Sequence, residues 1–220
     1  MIIALVNEKG GCGKTTLAVH IACWLADQGN DVAFVDADRQ QSARRWISKA
    51  APAIPLTCVS KGDEVVAAID AYKEKHTYVV CDGPPRLDAP TLGLMYMADL
   101  IVIPVTPSTV DLRATLAAKQ TVDRVADAQR RDGVPVGRVM LVMNRLRART
   151  ELSRTVTDVL REMDMPVATT ALGLRDVYAK AATRDTVVTR MKEKAALQAA
   201  SEFNQLMKEI LHEQHKREAA

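Results

Sequence analysis

Short runs of β-branched and other apolar residues recur along the chain at Ile2–Val6, Val32–Asp36, Leu56–Val59, Tyr78–Asp82, Leu100–Val105 and Val139–Met143. Between them lie stretches in which apolar residues return every three or four positions. Leu17, Ile21, Trp24 and Leu25 do so in the first, and Val65, Val66 and Ile69 in a later one. A short continuous apolar run fits a strand buried on both faces, and a 3.6-residue period fits an amphipathic helix. Their alternation predicts an α/β fold, a mostly parallel twisted sheet with helices on both faces. Phe203, Leu206, Met207, Ile210 and Leu211 form one apolar stripe, predicting a final helix from about Lys192 to His212 docked on the core. Prolines fall at predicted strand ends and turns, where a missing N–H is tolerated. No repeat or low-complexity linker interrupts the pattern, so residues 1–220 read as a single domain.

A chain of 220 residues can bury a substantial core, built here mainly from Val, Ile, Leu, Ala and Met because aromatics are only 4%. The longest apolar runs fall far short of the roughly 20 residues that a membrane-spanning helix needs. The polar face of the last helix is mixed in sign, so no stable membrane association is expected. The chain enters a strand directly, with no basic leader, and a cytoplasmic location is expected. Cys12, Cys23, Cys58 and Cys81 make no CxxC pair and read as small buried apolar residues. A cluster-carrying protein would need paired cysteines, which are lacking.

The densest chemistry follows the first strand: Asn7-Glu8-Lys9-Gly10-Gly11-Cys12-Gly13-Lys14-Thr15-Thr16, then the helical stretch Leu17–Gln28. Strand, glycine-rich loop, Lys-Thr and helix form the context of a phosphate-binding P-loop. Glycines let successive backbone N–H groups turn inward around phosphate oxygens, and the helix N-terminus adds its positive end. The cradle is Gly10, Gly11, Cys12, Gly13, Lys14, Thr15 and Thr16. Lys14 is expected to neutralise the β- and γ-phosphates of ATP, and the Thr15 hydroxyl to ligate Mg2+. The chain is therefore expected to be a single-domain P-loop NTPase hydrolysing ATP.

Lys9 is surplus to an ordinary P-loop and, by itself, reads equally as a solvated lysine. The segment KGGCGKTT resembles the deviant Walker A motif of the ParA/MinD ATPases, however, and further motifs match. Asp36-Ala37-Asp38-Arg39-Gln40 resembles that family's DxDxQ segment, with Arg39 where the family often has proline. Tyr78–Asp82 with Gly83-Pro84-Pro85 resembles its Walker B strand and second switch. Leu100–Pro104, Val105–Ser108 and Asp111-Leu112 match the strand and loop beside its dimer face. The resemblance spans about residues 7–145 and is nearest the short, ParF-like partition proteins. It implies that Lys9 reaches across an ATP-dependent homodimer to the partner's nucleotide. It implies too that Asp38 orients the attacking water, that Asp36 and Asp82 hold the Mg2+ shell, and that Asn144 bonds the adenine. An ordinary turn asparagine fits that last position as well.

Charge then acquires a meaning. The net charge is only +3, but residues 111–220 carry 20 Lys/Arg against 15 Asp/Glu, whereas residues 1–110 carry 10 against 12. Solvated helix faces account for such an excess by themselves. Family members bind DNA non-specifically in the ATP state and are released when a ParB-like or cargo-adaptor protein stimulates hydrolysis. The resemblance thus implies a nucleoid-associated positioning ATPase, with plasmid, carboxysome and chemoreceptor cargo all open. Its expected DNA face is basic: Arg147, Arg149, Arg154, Arg175, Lys180, Arg184, Arg190, Lys192 and Lys194. A MinD-like membrane-associated role is the alternative.

Overall fold

A computed structural model describes residues 1–147, 155–156, 158–160 and 165–218, with side chains given except at 109–112 and 212–218. Arg149, Arg154 and the side chains of Asp111 and Leu112 lie outside this description. Six strands, β1 (Ile2–Leu5), β2 (Val32–Asp36), β3 (Leu56–Cys58), β4 (Tyr78–Asp82), β5 (Leu100–Val105) and β6 (Arg138–Met143), form one sheet in the order β3-β2-β4-β1-β5-β6. Every pairing is parallel. The expected α/β architecture is present, and the sheet is wholly rather than mostly parallel.

The strands are apolar throughout because both faces are covered. Along β1, Ile3 and Leu5 enter one core while Ile2 and Ala4 enter the other, the period-2 alternation of a strand. The first core is closed by α1 (Lys14–Asp27), α2 (Ser42–Ala50), α6 (Asp176–Thr183) and α7 (Lys194–Glu218), with a 3-10 turn at Val188–Arg190. The second is closed by α3 (Gly62–Lys73), α4 (Ala89–Met97) and α5 (Thr109–Arg131), with Val156 and Leu160. The stripe of α7 docks as its spacing predicts: Phe203, Leu206, Met207 and Ile210 are fully buried. Each such side chain contributes about 1.5–3 kcal/mol of burial, so α7 is held by the core rather than by its own propensity. The helix begins two residues later than the stripe suggests and continues to Glu218.

Topology fixes where a ligand can sit. β1 lies between β4 and β5, and the chain departs from it in opposite directions, to β2 and β3 on one side and to β5 and β6 on the other. In open parallel sheets the crevice forms at the carboxyl ends of strands where that direction reverses. The loop that follows β1 stands at this point. Asp36 and Asp82, at the carboxyl ends of β2 and β4, are register partners beside it.

Candidate nucleotide-binding site

The loop after β1 is held in shape before any ligand is considered. Asn7 is buried: its Nδ2 donates to the Pro104 carbonyl at 2.9 Å, and its Oδ1 accepts from Lys9 N at 3.0 Å. Gly11 (φ +79°) and Gly13 (φ +100°) adopt left-handed backbone, which places glycine at the turns that aim neighbouring N–H groups inward. A Cβ on Gly13 would stand 2.3 Å from Asn144 Nδ2, so the position is closed by packing as well as by conformation. Leu17 N donates to Gly13 O at 2.9 Å, the first rung of α1. Lys14 is buried, and its ammonium donates to the Lys9 carbonyl at 3.0 Å; the Cys12 thiol points to the same oxygen at 3.3 Å.

The acidic residues differ in how they are held. Asp36 accepts from Asp38 N on one oxygen and from Arg44 N on the other, both at 3.1 Å. The last residue of β2 thus caps α2 from outside, which its sequence position did not reveal. Burial outweighs these bonds and pushes the Asp36 carboxyl up to about 6. Asp82 is fully buried, and neither oxygen has a hydrogen-bond partner of good geometry among the described residues. Burial pushes its carboxyl up to about 8, and the Thr15 hydroxyl and Lys14 ammonium offset this only in part. Asp38 is half-buried, and its Oδ1 accepts from Gln40 N at 3.0 Å.

One cleft of about 550 Å3 gathers most of the expected residues. Gly10, Gly11, Gly13, Lys14, Thr15, Thr16, Asp38 and Asn144 line it together. Cys12 is buried beneath the loop, and Asp36 and Asp82 lie under the floor. Lys9 does not line this cleft. It borders a second one with Arg86 and Arg113, its ammonium 3.4 Å from Ser108 Oγ. Asn144 acts on the protein itself: Nδ2 donates to Cys12 O at 2.7 Å, and Oδ1 accepts from Arg145 N. Its second amide hydrogen is the one left for a nucleotide base.

The opposite wall is the segment Gly173–Ala182, including Arg175, Asp176 and Tyr178. The sequence signalled this stretch only by likeness to other short ParA proteins, and Ser42 and Pro85 in the same lining carried no signal. Arg145 holds a left-handed conformation (φ +56°) while its guanidinium donates to Gly11 O at 2.8 Å, a brace invisible in a turn arginine. His20 of α1 ties the two walls. Its Nδ1–H donates to Thr16 O at 2.7 Å, and its Nε2 accepts from Val188 N at 3.2 Å, which makes the ring neutral. Trp46, Tyr178 and Phe203 pack around it, and burial lowers it to about 4.

The basic face is smaller than composition indicates. Arg175 is paired with Glu202, Arg184 with Glu193, and Arg190 with Asp27, so their charges are committed internally. Lys180, Lys192 and Lys194 are exposed and enter no ion pair within 4 Å among the described residues. The cysteines fit their apolar reading, with Cys12, Cys23 and Cys81 buried and Cys58 half-buried. No described helix is long and apolar enough to cross a membrane.

The donor set fits a hard divalent cation. A buried carboxylate lacking protein donors, with a hydroxyl beside it and a second carboxylate on the adjacent strand, is oxygen-rich and electronegative. Such a group is costly to bury unless a cation compensates it.

Comparison with known proteins agrees with the geometry. Residues 3–188 match the family model described as the CobQ/CobB/MinD/ParA nucleotide binding domain. The chain is 34% identical over 213 residues to the maintenance of carboxysome distribution protein A of Halothiobacillus neapolitanus, covering 95% of each. Among solved structures, McdA of Cyanothece in an ATP complex superposes with a TM-score of 0.76 at 16% identity, covering 96% of each chain. Cobyrinic acid a,c-diamide synthase of Mycobacterium smegmatis, solved with an ATP analogue and magnesium, gives 0.71 at 19% identity over 94% of each. A doubly braced phosphate loop at the switch point of a parallel sheet, joined to this span of likeness, leads to one assignment: the chain belongs to the CobQ/CobB/MinD/ParA nucleotide-binding family.

Proposed function

We propose that the chain is an ATP-hydrolysing positioning switch that pairs with a second copy when ATP is bound and distributes an intracellular cargo. The observation that carries this reading is the division of labour between two lysines. Lys14 is buried under its own cleft, while Lys9 leaves that cleft and borders a second one with Arg86 and Arg113. A cation that turns away from its own nucleotide is placed to serve the nucleotide of a facing subunit, which makes ATP occupancy and pairing one event.

The remaining roles follow from position. The amides of Gly10–Thr16 cradle the phosphates, and Lys14 exchanges the Lys9 carbonyl for the β- and γ-phosphate oxygens. Thr15 and Asp82 hold Mg2+, with Asp36 behind them in its water shell; bound magnesium would neutralise developing phosphate charge. Asp38 sits on the cleft edge at the mouth of α2, where a carboxylate orients a water for in-line attack. Asn144 closes the base side with its remaining amide hydrogen.

Similarity along nearly the full length of a carboxysome-distribution protein favours a carboxysome-like body over a plasmid as cargo, with an adaptor protein on the cargo stimulating hydrolysis. Non-specific DNA is the track, and Lys180, Lys192 and Lys194, doubled in the dimer, are its contacts. The protein then works in the cytoplasm, on the nucleoid. The test is light scattering with ATP and magnesium, beside a DNA gel shift. Lys9→Ala is expected to bind ATP yet remain a monomer. Asp38→Ala is expected to pair, stay on DNA and hydrolyse at least about tenfold more slowly. A normal ATP-dependent dimer of Lys9→Ala would overturn the reading.

A further inference from the structure

On the side of the sheet covered by α3, α4 and α5, the surface is not closed. A groove of about 490 Å3 runs between these helices, lined by Val66 of α3, Leu87, then Leu92, Gly93 and Tyr96 of α4, and Arg124, Val125 and Ala128 of α5. Apart from Arg124 the lining is apolar or small. Leu92 is 41% exposed at its edge, unusual for a side chain of that size beside a cavity. The volume lies within the range of about 300–1,000 Å3 typical of pockets that receive ligands.

The groove has a direction. At one end Gln129 Nε2 donates to Tyr96 O at 2.8 Å and the Tyr96 hydroxyl donates to Asp132 at 2.7 Å, pinning α4 to α5. Along its floor α3 and α4 approach closely, since a Cβ on Gly93 would meet the Gly62 carbonyl at 3.2 Å. At the other end it opens at Leu87, which also lines the cleft of Arg86 and Arg113.

Charge around this groove is one-sided. Arg124 spends its guanidinium on Gln120 O and Thr121 Oγ1 within its own helix. Neither it nor Arg86 or Arg113 enters an ion pair within 4 Å among the described residues. Most exposed cations elsewhere on these helices do, as Lys61, Lys73, Lys119 and Arg130 show. Glu8, on the rim of the Arg86 cleft, is the opposing charge. An apolar trough flanked by arginines lacking carboxylates is complementary to a helix with apolar residues on one stripe and acids beside it. A bilayer is flat and could not fill a trough closed at one end.

We propose that this groove docks an amphipathic, acidic helical segment of a protein partner, its apolar side chains between Leu92 and Val125 and its carboxylates on Arg124, Arg86 and Arg113. The site stands apart from the nucleotide cleft, and the proposal does not rest on the function given above. The test pans the full chain against a phage-displayed random peptide library, then measures selected synthetic peptides by fluorescence polarisation. Enriched sequences are expected to carry apolar residues at i, i+3 or i+4 with Asp or Glu alongside. Leu92→Lys should weaken their binding about tenfold or more. Arg124→Glu should shift the selection toward basic peptides. Both positions are exposed, and unchanged ATP affinity and thermal midpoint confirm that the variants fold. No enrichment, peptides without carboxylates, or binding indifferent to both substitutions would overturn the proposal. Leu92-dependent sedimentation with phosphatidylglycerol vesicles, in place of peptide binding, would overturn it in favour of a membrane.

Discussion

Gly13→Ala is the sharpest test of how the phosphate loop is built. At φ +100° the backbone lies beyond the left-handed region that L-residues tolerate, and an alanine there costs about 1–2 kcal/mol of strain. The new methyl would stand 2.3 Å from Asn144 Nδ2, so the amide must swing away. That movement breaks the 2.7 Å bond to Cys12 O and leaves a buried carbonyl unpaired, at about 1–3 kcal/mol. The total is about 2–5 kcal/mol, a large fraction of the roughly 5–15 kcal/mol that holds a domain together. Urea denaturation measures it, and a double-mutant cycle separates the two parts. In an Asn144→Ala background the clash is gone, so Gly13→Ala should then cost only the strain, with a coupling of about 1–3 kcal/mol between the sites. A single-mutant effect below about 0.5 kcal/mol, or strictly additive effects, would refute the reasoning.

Lys14→Ala removes the buried ammonium beneath the loop, and calorimetry should detect no ATP binding at concentrations that saturate the wild type. Asp82→Asn replaces an ion that lacks protein donors by a neutral isostere, so the metal-free protein should gain thermal stability while magnesium-dependent nucleotide binding falls. A lower midpoint in EDTA would count against that account. His20, lowered to about 4, stays neutral in the folded chain while its unfolded counterpart protonates near 6.5. Its contribution is therefore complete above about pH 6.5 and declines as pH falls toward 4, by about 3 kcal/mol in all. His20→Gln should flatten the wild-type loss of stability across that interval, and parallel curves for the two proteins would discount the histidine.

The strands and most of the phosphate loop were legible because their causes are local. A β-branched run buried on both faces needs no knowledge of its neighbours. Glycines at 11 and 13 declare a left-handed turn, and the α7 stripe declares its docking face. Strand order was not legible. β4 enters between β1 and β2, and only that insertion makes Asp36 and Asp82 register partners. The same holds for Asn144, which meets the carbonyl of Cys12 from 132 positions away, and for His20, which receives Val188 from 168 away.

By itself, then, the sequence determined an α/β layering, a glycine-rich phosphate cradle with its lysine and threonine, and the likeness of its motifs to one ATPase family. Tertiary structure alone decided what each charged or polar group has left to offer. Arg175, Arg184 and Arg190 count as free cations in composition, yet each meets a carboxylate brought by another part of the chain. Asp36 is spent on a helix terminus, whereas Asp82 is left for a cation. The physical reason is that backbone preference is set by a residue and its near neighbours. The partners available to a side chain are set by packing among segments far apart in sequence.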